Sequence, residues 1–201
     1  MGQRSDAKQK MVQAAKQLIR ERGYNATAFS DVLKLSGAPR GSVYFHFPRG
    51  KTELAIEAAA AHAHEQVEMI DRAAEQADSA SRLIESYVGL GRKGMVASGY
   101  TRGCGIAPLV NEGAAQDSDD VAKASRDSFA ELVDRLAYHF VAFGLDRPTA
   151  RTLADAVIAG VEGAMVTARA QRSPKPYDAV RAVLTHYAAS VSPKSSGRRH
   201  G

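Results

Sequence analysis

Between Gly37 and Leu54 the sequence GAPRGSVYFHFPRGKTEL sets four ring-bearing residues in a row, Tyr44, Phe45, His46 and Phe47. Arg40, Arg49 and Lys51 fence them. A buried core rejects the charges, and a face that meets only water rejects the rings. A nucleic-acid duplex accepts both. A guanidinium such as that of Arg40 can hold guanine bidentately, and a phenyl ring such as that of Phe45 can touch a thymine methyl. Tyr44, His46, Thr27 and Lys51 have groups suited to phosphate oxygens, and Ser42 adds a hydroxyl to the same surface. Gly41 lets the backbone come close to a groove. The competing reading, a minor core under a loop, explains Val43 and Phe47. It does not explain why Tyr44 and His46 stand among three basic side chains.

A second set of residues lies further along the chain. Tyr87, Tyr100, Cys104, Phe129, Phe140, Glu162, Met165 and Arg169 are candidates for an apolar cleft with a few polar anchors, which suits a flat or greasy small molecule. By type, each also serves as ordinary core or surface. His62 and His64 lie two apart on a helix and do not face each other. His64 and Glu68 share a face, but two ligands fall short of a metal site. Cys104 is the single cysteine, so no intrachain disulfide forms, and a buried inert thiol is the expectation. The sequence contains no HExxH, GxSxG, P-loop or dinucleotide fingerprint. A binding protein without cofactor or metal is therefore expected, rather than an enzyme.

These residues need helices to place them. Residues 6–22 repeat apolar positions (Val12, Ala15, Leu18, Ile19) at spacings of three and four, which predicts an amphipathic helix stopped by Gly23. Thr27 is the expected N-cap of a short second helix, AFSDVLKLS, with Phe29, Val32 and Leu33 inward. Gly37 breaks the chain. Pro39 is then expected to open a third helix that runs to Phe47 and ends at Pro48. On that helix Val43 and Phe47 lie one turn apart and face inward, leaving Arg40, Gly41, Ser42, Tyr44, Phe45 and His46 outside. The layout is a helix-turn-helix. Further helices are expected over 52–76, 79–97, 119–143, 148–172 and 177–190, with a Gly-rich connection at 98–118. Asp146 is a good helix start and Gly144 a good stop. Small residues at Ala156, Ala159, Gly160, Gly163 and Ala164 would admit another helix closely, either in ordinary packing within the chain or, with 177–190, in a four-helix homodimer interface through the last two helices.

Charge follows the same division. Residues 1–55 carry ten Lys/Arg against four Asp/Glu, whereas residues 56–192 carry fourteen against eighteen. A basic head on a mildly acidic body fits a nucleic-acid binder. The opening MGQRSDAKQK has no apolar block of a signal peptide, and no apolar run approaches a membrane span. A cytoplasmic location is expected. The expected organisation is a head over 1–54, a helical body over 55–192, and a disordered basic tail over 193–201.

From Met11 to Leu54, the run ending RERGYNAT, then FSDVLKLSGAPRGSVYFHF, then PRGKTEL, resembles the DNA-binding head of the TetR family of transcriptional regulators. The form HFPRGKTEL, with an additional residue before the lysine, resembles the LmrA/YxaF-like subgroup. So does RGCGIAPLVNE over 102–112, although Gly105 stands where that motif has proline. The resemblance implies an all-α homodimer that binds a palindromic double-stranded operator, usually as a repressor, and is released by a small-molecule effector in the body. It places base contacts at Arg40, Gly41, Ser42, Tyr44, Phe45 and His46, and phosphate contacts at Thr27 and Lys51. The alternative is an architectural DNA binder with no effector. A body of this length beyond the head speaks against it.

Overall fold

Nine helices and no strand make up the regular structure among the described residues of the computed structural model, which are 2–112 and 118–192, with side chains from Asp6 onward. The tail assigned to 193–201 lies outside them. In chain order the helices are α1 (Gly2–Arg22), α2 (Phe29–Ser36), α3 (Ser42–His46), α4 (Lys51–Glu75), α5 (Ala80–Ala97), α6 (Ala107–Asn111), α7 (Asp119–Ala142), α8 (Arg147–Gln171) and α9 (Lys175–Val191).

The apolar stripe of α1 is buried as its spacing predicts, with Met11, Ala15, Leu18 and Ile19 almost wholly inside. It packs on α2 and α4. Gly23 ends α1 at φ +92°, its N–H closing on Ile19 O at 2.9 Å. The second helix is capped differently from expectation. Its N-cap is Ala28, without a side-chain bond, and the Thr27 hydroxyl instead donates back to Gly23 O at 2.7 Å. The third helix also starts later than expected. Pro39 belongs to a turn, because the Ser42 N–H and Oγ both donate to Pro39 O, at 2.9 and 2.6 Å. Only Ser42–His46 is helical.

Val43 and Phe47 fix α3 to the helices beneath it, at 2% and 0% exposure. Burying a ring of that size stabilises by about 1.5–3 kcal/mol. After Phe47 the chain turns through Gly50, at φ +77° and ψ −150°, a region essentially restricted to glycine. That turn launches α4, which begins just after α3 and packs on α1, α5 and α7.

Around α4 the later helices form a bundle in which α7 packs on α4 and α8, while α9 packs on α5 and α8. Asp71 of α4 ties α7 down by accepting from Arg135 Nη2 and facing His139 Nε2, each at 2.8 Å. Those bonds, Arg135 foremost, hold its carboxyl below the usual range. Ser79, Ser118 and Asp146 cap α5, α7 and α8 with their side-chain oxygens. Of the small residues of α8, Gly160 serves the chain itself, since a Cβ there would stand 2.9 Å from Val180. Ala156, Ala159 and Gly163 face outward.

Candidate nucleic-acid interface and effector cleft

Anchored from below, α3 holds its remaining side chains away from the core. Tyr44 is 80% and Phe45 67% exposed, and Arg40 and Gly41 are exposed beside them. Around Gly41 nothing lies within 4 Å of where a Cβ would stand. Phe45 meets the half-buried His46 ring edge-on at 5.0 Å. Gly41, Ser42, Phe45 and His46 share a surface groove with Lys10 of α1, a cation that sequence reasoning counted only towards net charge. Two residues differ from expectation. Thr27 is 3% exposed with its hydroxyl already donating, so its side chain does not present itself to a phosphate. Lys51 is half-buried, its Nζ donating to Asn25 O at 3.1 Å and standing 4.3 Å over the Tyr24 ring. Burial pulls the Lys51 ammonium below its ordinary range, and the nearby Glu112 carboxylate opposes the shift.

The eight candidates for a ligand site do not form one site. Cys104, Glu162, Met165 and Arg169 do meet, in a cleft of about 260 Å³ that Gly23 and Glu112 also line. Tyr87 lies nearby in the interior, its hydroxyl 3.4 Å from Gln66 Oε1. The other three are elsewhere. Phe140 is core, at 0% exposure. Tyr100 forms the turn after α5 at φ +64°, its N–H on Met95 O. Phe129 lines a separate groove with Val110 and Val133. Their aromatic type suits a cleft, but type alone does not separate a helix's core side from a cleft wall.

Within the cleft the polar groups satisfy one another. The Cys104 sulfur accepts the N–H groups of Ile106 and Ala107 at 3.2 and 3.4 Å. Burial pushes the thiol pKa up to about 12, with the Glu162 carboxylate adding to the rise. Such a thiol is not a nucleophile at neutral pH. Burial also raises the Glu162 carboxyl, which the Cys104 thiol partly offsets by hydrogen bonding. Next to it, Gly105 packs so tightly on His62 that a Cβ would stand 2.7 Å from the imidazole Cγ. A proline at 105 would strike that ring, which accounts for the glycine in this motif. His62 itself is buried, with Nδ1 unpartnered among the described residues, and its pKa is lowered to about 3, first by burial and then by Arg20 and Lys16.

The cleft sits where α1 meets the body. Gly103 N–H donates to Arg20 O at 2.7 Å, and Arg20 Nε donates to Gly103 O at 2.8 Å. Glu21 accepts from Arg102 Nε through its side chain and from Arg169 Nη2 through its carbonyl, each at 3.4 Å. Glu112, just past α6, reaches the loop after α1. Its Oε2 accepts the Asn25 N–H at 2.6 Å, and its carbonyl accepts Asn25 Nδ2 at 3.2 Å. Sequence reasoning singled out neither residue. They are 87 positions apart, and no periodic pattern connects them.

An all-helical chain with a helix-turn-helix whose aromatic and basic face points outward defines a DNA-binding transcription regulator, and the chain belongs to the TetR family of bacterial regulatory proteins, which residues 11–58 match. Residues 80–183 match the C-terminal domain of LmrA/YxaF-like transcriptional regulators, so the body is of that kind. The chain is 35% identical over 193 residues to an HTH-type transcriptional regulator of Mycobacterium tuberculosis strain H37Rv, covering 94% of this chain and 97% of the relative. With the HTH-type transcriptional regulator LmrA of Bacillus subtilis strain 168 it shares 49% identity over 53 residues, 26% of this chain and 28% of LmrA. Among solved structures, the regulatory protein TetR from Rhodobacter sphaeroides superposes with a TM-score of 0.78 over 90% of this chain and 98% of that one, at 24% identity, which shows the shared fold. No helix among the described residues is long and apolar enough to cross a membrane.

Proposed function

We propose that the chain is a dimeric repressor whose two heads, residues 1–54 of each copy, bind a palindromic operator, and that a small hydrophobic or aromatic effector in the body releases it. The observation that carries this reading is the exposure of Tyr44 and Phe45 on a short helix whose Val43 and Phe47 are buried. Arg40, Gly41, Ser42, Tyr44, Phe45 and His46 are assigned to the bases and Lys51 to a phosphate. Thr27 has no place in the phosphate set because it is buried, with its hydroxyl on Gly23 O.

Two copies are needed because a five-residue helix reads only a few bases. The outward face of the last two helices supports a dimer: Val166 is 66%, Val183 67% and Tyr187 43% exposed beside the small residues of α8. Heads related by that two-fold meet half-sites about 34–36 Å apart, or a multiple of it. An effector that prefers another head spacing shifts the population away from DNA. The 260 Å³ cleft holds only a small effector, since drug-sized ligands take about 300–1,000 Å³. Its apolar wall at Met165 and Val166 would meet the body of such a molecule, with Glu162 as its polar anchor. The protein would act in the cytoplasm, where the DNA is.

Selection from a randomised duplex pool, followed by sedimentation of the enriched complex, tests the reading. An inverted repeat bound by pairs of chains, with Val183→Arg yielding monomers that bind it weakly, is the expected result. Enrichment of no sequence, or tight binding by single chains, contradicts it.

A further inference from the structure

We infer that Glu112 is a positioning residue for DNA binding: from the body it holds the backbone of Asn25, the same residue on which the Lys51 ammonium rests. The inference relies on the proposed role of Lys51 at a phosphate.

The geometry is specific to this pair. Asn25 gives its N–H to Glu112 Oε2 at 2.6 Å and its side-chain amide to Glu112 O at 3.2 Å, while its carbonyl receives Lys51 Nζ at 3.1 Å. One loop residue is thus gripped from the body at its N–H and from the start of α4 at its C=O. The loop is shaped to admit the carboxylate. A Cβ on Gly23 would stand 2.1 Å from Glu112 Oε1, so Gly23 both ends α1 and leaves the space that the acid fills. The other support of Lys51, the Tyr24 ring, belongs to the same loop. The ammonium therefore stands where residues 24 and 25 put it, and residue 25 stands where Glu112 puts it. A carboxylate accepting a backbone N–H is a strong, directional contact. Glu112 also lines the cleft with Cys104 and Glu162 and directly follows α6. A shift of α6 or an occupant of the cleft would reach the phosphate contact through one side chain.

The test is the salt dependence of binding by the full chain to a duplex that the wild type has enriched from a randomised pool. Each phosphate contact contributes about 0.9 to the slope of log K against log salt. Lys51→Ala is expected to flatten the slope by about that amount, so its affinity falls about eight-fold less per tenfold rise in salt. Glu112→Ala is expected to flatten it equally, and the double variant no further. Glu112→Gln keeps an acceptor for the Asn25 N–H and should keep the wild-type slope. A role in stability alone would lower the active fraction and leave the slope unchanged. A wild-type slope in Glu112→Ala, or additive flattening in the double variant, overturns the inference. An unchanged slope in Lys51→Ala overturns the phosphate assignment first, and the inference with it. Should Glu112→Ala not fold, amide exchange in the wild type decides: protection of Asn25 supports the contact, and free exchange overturns it.

Discussion

The recognition face and the junction cleft use polar and aromatic side chains in opposite ways. On α3 the large rings of Tyr44 and Phe45 stand mostly in water, and Arg40 is exposed in the turn before it. In the cleft and its surroundings, Cys104, Glu162, Arg20 and Glu112 are tied to one another or to backbone groups far away in sequence. The difference separates a surface that waits for an external partner from one that links two parts of the same chain. The first shows as an apparent misfit with solvent. The second shows as long-range bonds between groups that the sequence holds apart. A side chain exposed against its hydropathy is informative about binding, whereas a satisfied buried polar group is informative about coupling.

The contrast breaks most decisively at its support. Phe47→Ala removes the fully buried ring under α3 and is expected to destabilise the chain by about 3–5 kcal/mol. Tyr44→Ala, one turn away in effect but outside the core, should leave stability within about 0.5 kcal/mol. Denaturant midpoints of the two variants measure this. Equal losses would place Tyr44 in the core and erase the distinction.

Gly105→Ala drives a methyl into the His62 ring and is expected to cost about 1–3 kcal/mol, as overpacking does. Combining it with His62→Ala should recover part of the loss. Simple additivity in urea denaturation would deny the contact.

His62 gives the junction a pH dependence. In the unfolded chain it takes a proton near pH 6.5, and in the folded chain only near pH 3. Between those values the unfolded state binds more protons, so stability falls as pH drops below about 6.5, by at most about 1.4 kcal/mol per pH unit. Unfolding free energies at pH 7 and pH 5 should differ in the wild type and differ less in His62→Leu. Identical pH dependence in both would remove His62 as the cause.

Much of this was legible in the sequence, for local reasons. Gly23, Gly37 and Gly144 all end helices with positive φ, and Asp146 caps α8, as their residue types predict. The inward and outward sides of α3 followed from the four-residue step between Val43 and Phe47. The misses also have physical causes. Thr27 is a good capping residue beside a helix start, but the Gly23 carbonyl, left open where α1 ends, takes its hydroxyl first. Pro39 suits a first helical turn, but its carbonyl closes on Ser42 and delays the helix. Tyr100, Phe129 and Phe140 share an apolar type with the cleft residues and not a location. Asn25 and Glu112 meet only because the fold brings the loop after α1 against the end of α6, which no spacing rule encodes.

The most direct test of the central claim, that Arg40 and the exposed face of α3 behind it read DNA sequence while Lys51 grips the backbone, compares Arg40→Ala and Lys51→Ala on the enriched duplex and on a scrambled one. Arg40→Ala should lose about 1–3 kcal/mol on the enriched duplex and little on the scrambled one, whereas Lys51→Ala should weaken both alike. Equal losses for Arg40→Ala on the two duplexes would contradict the claim.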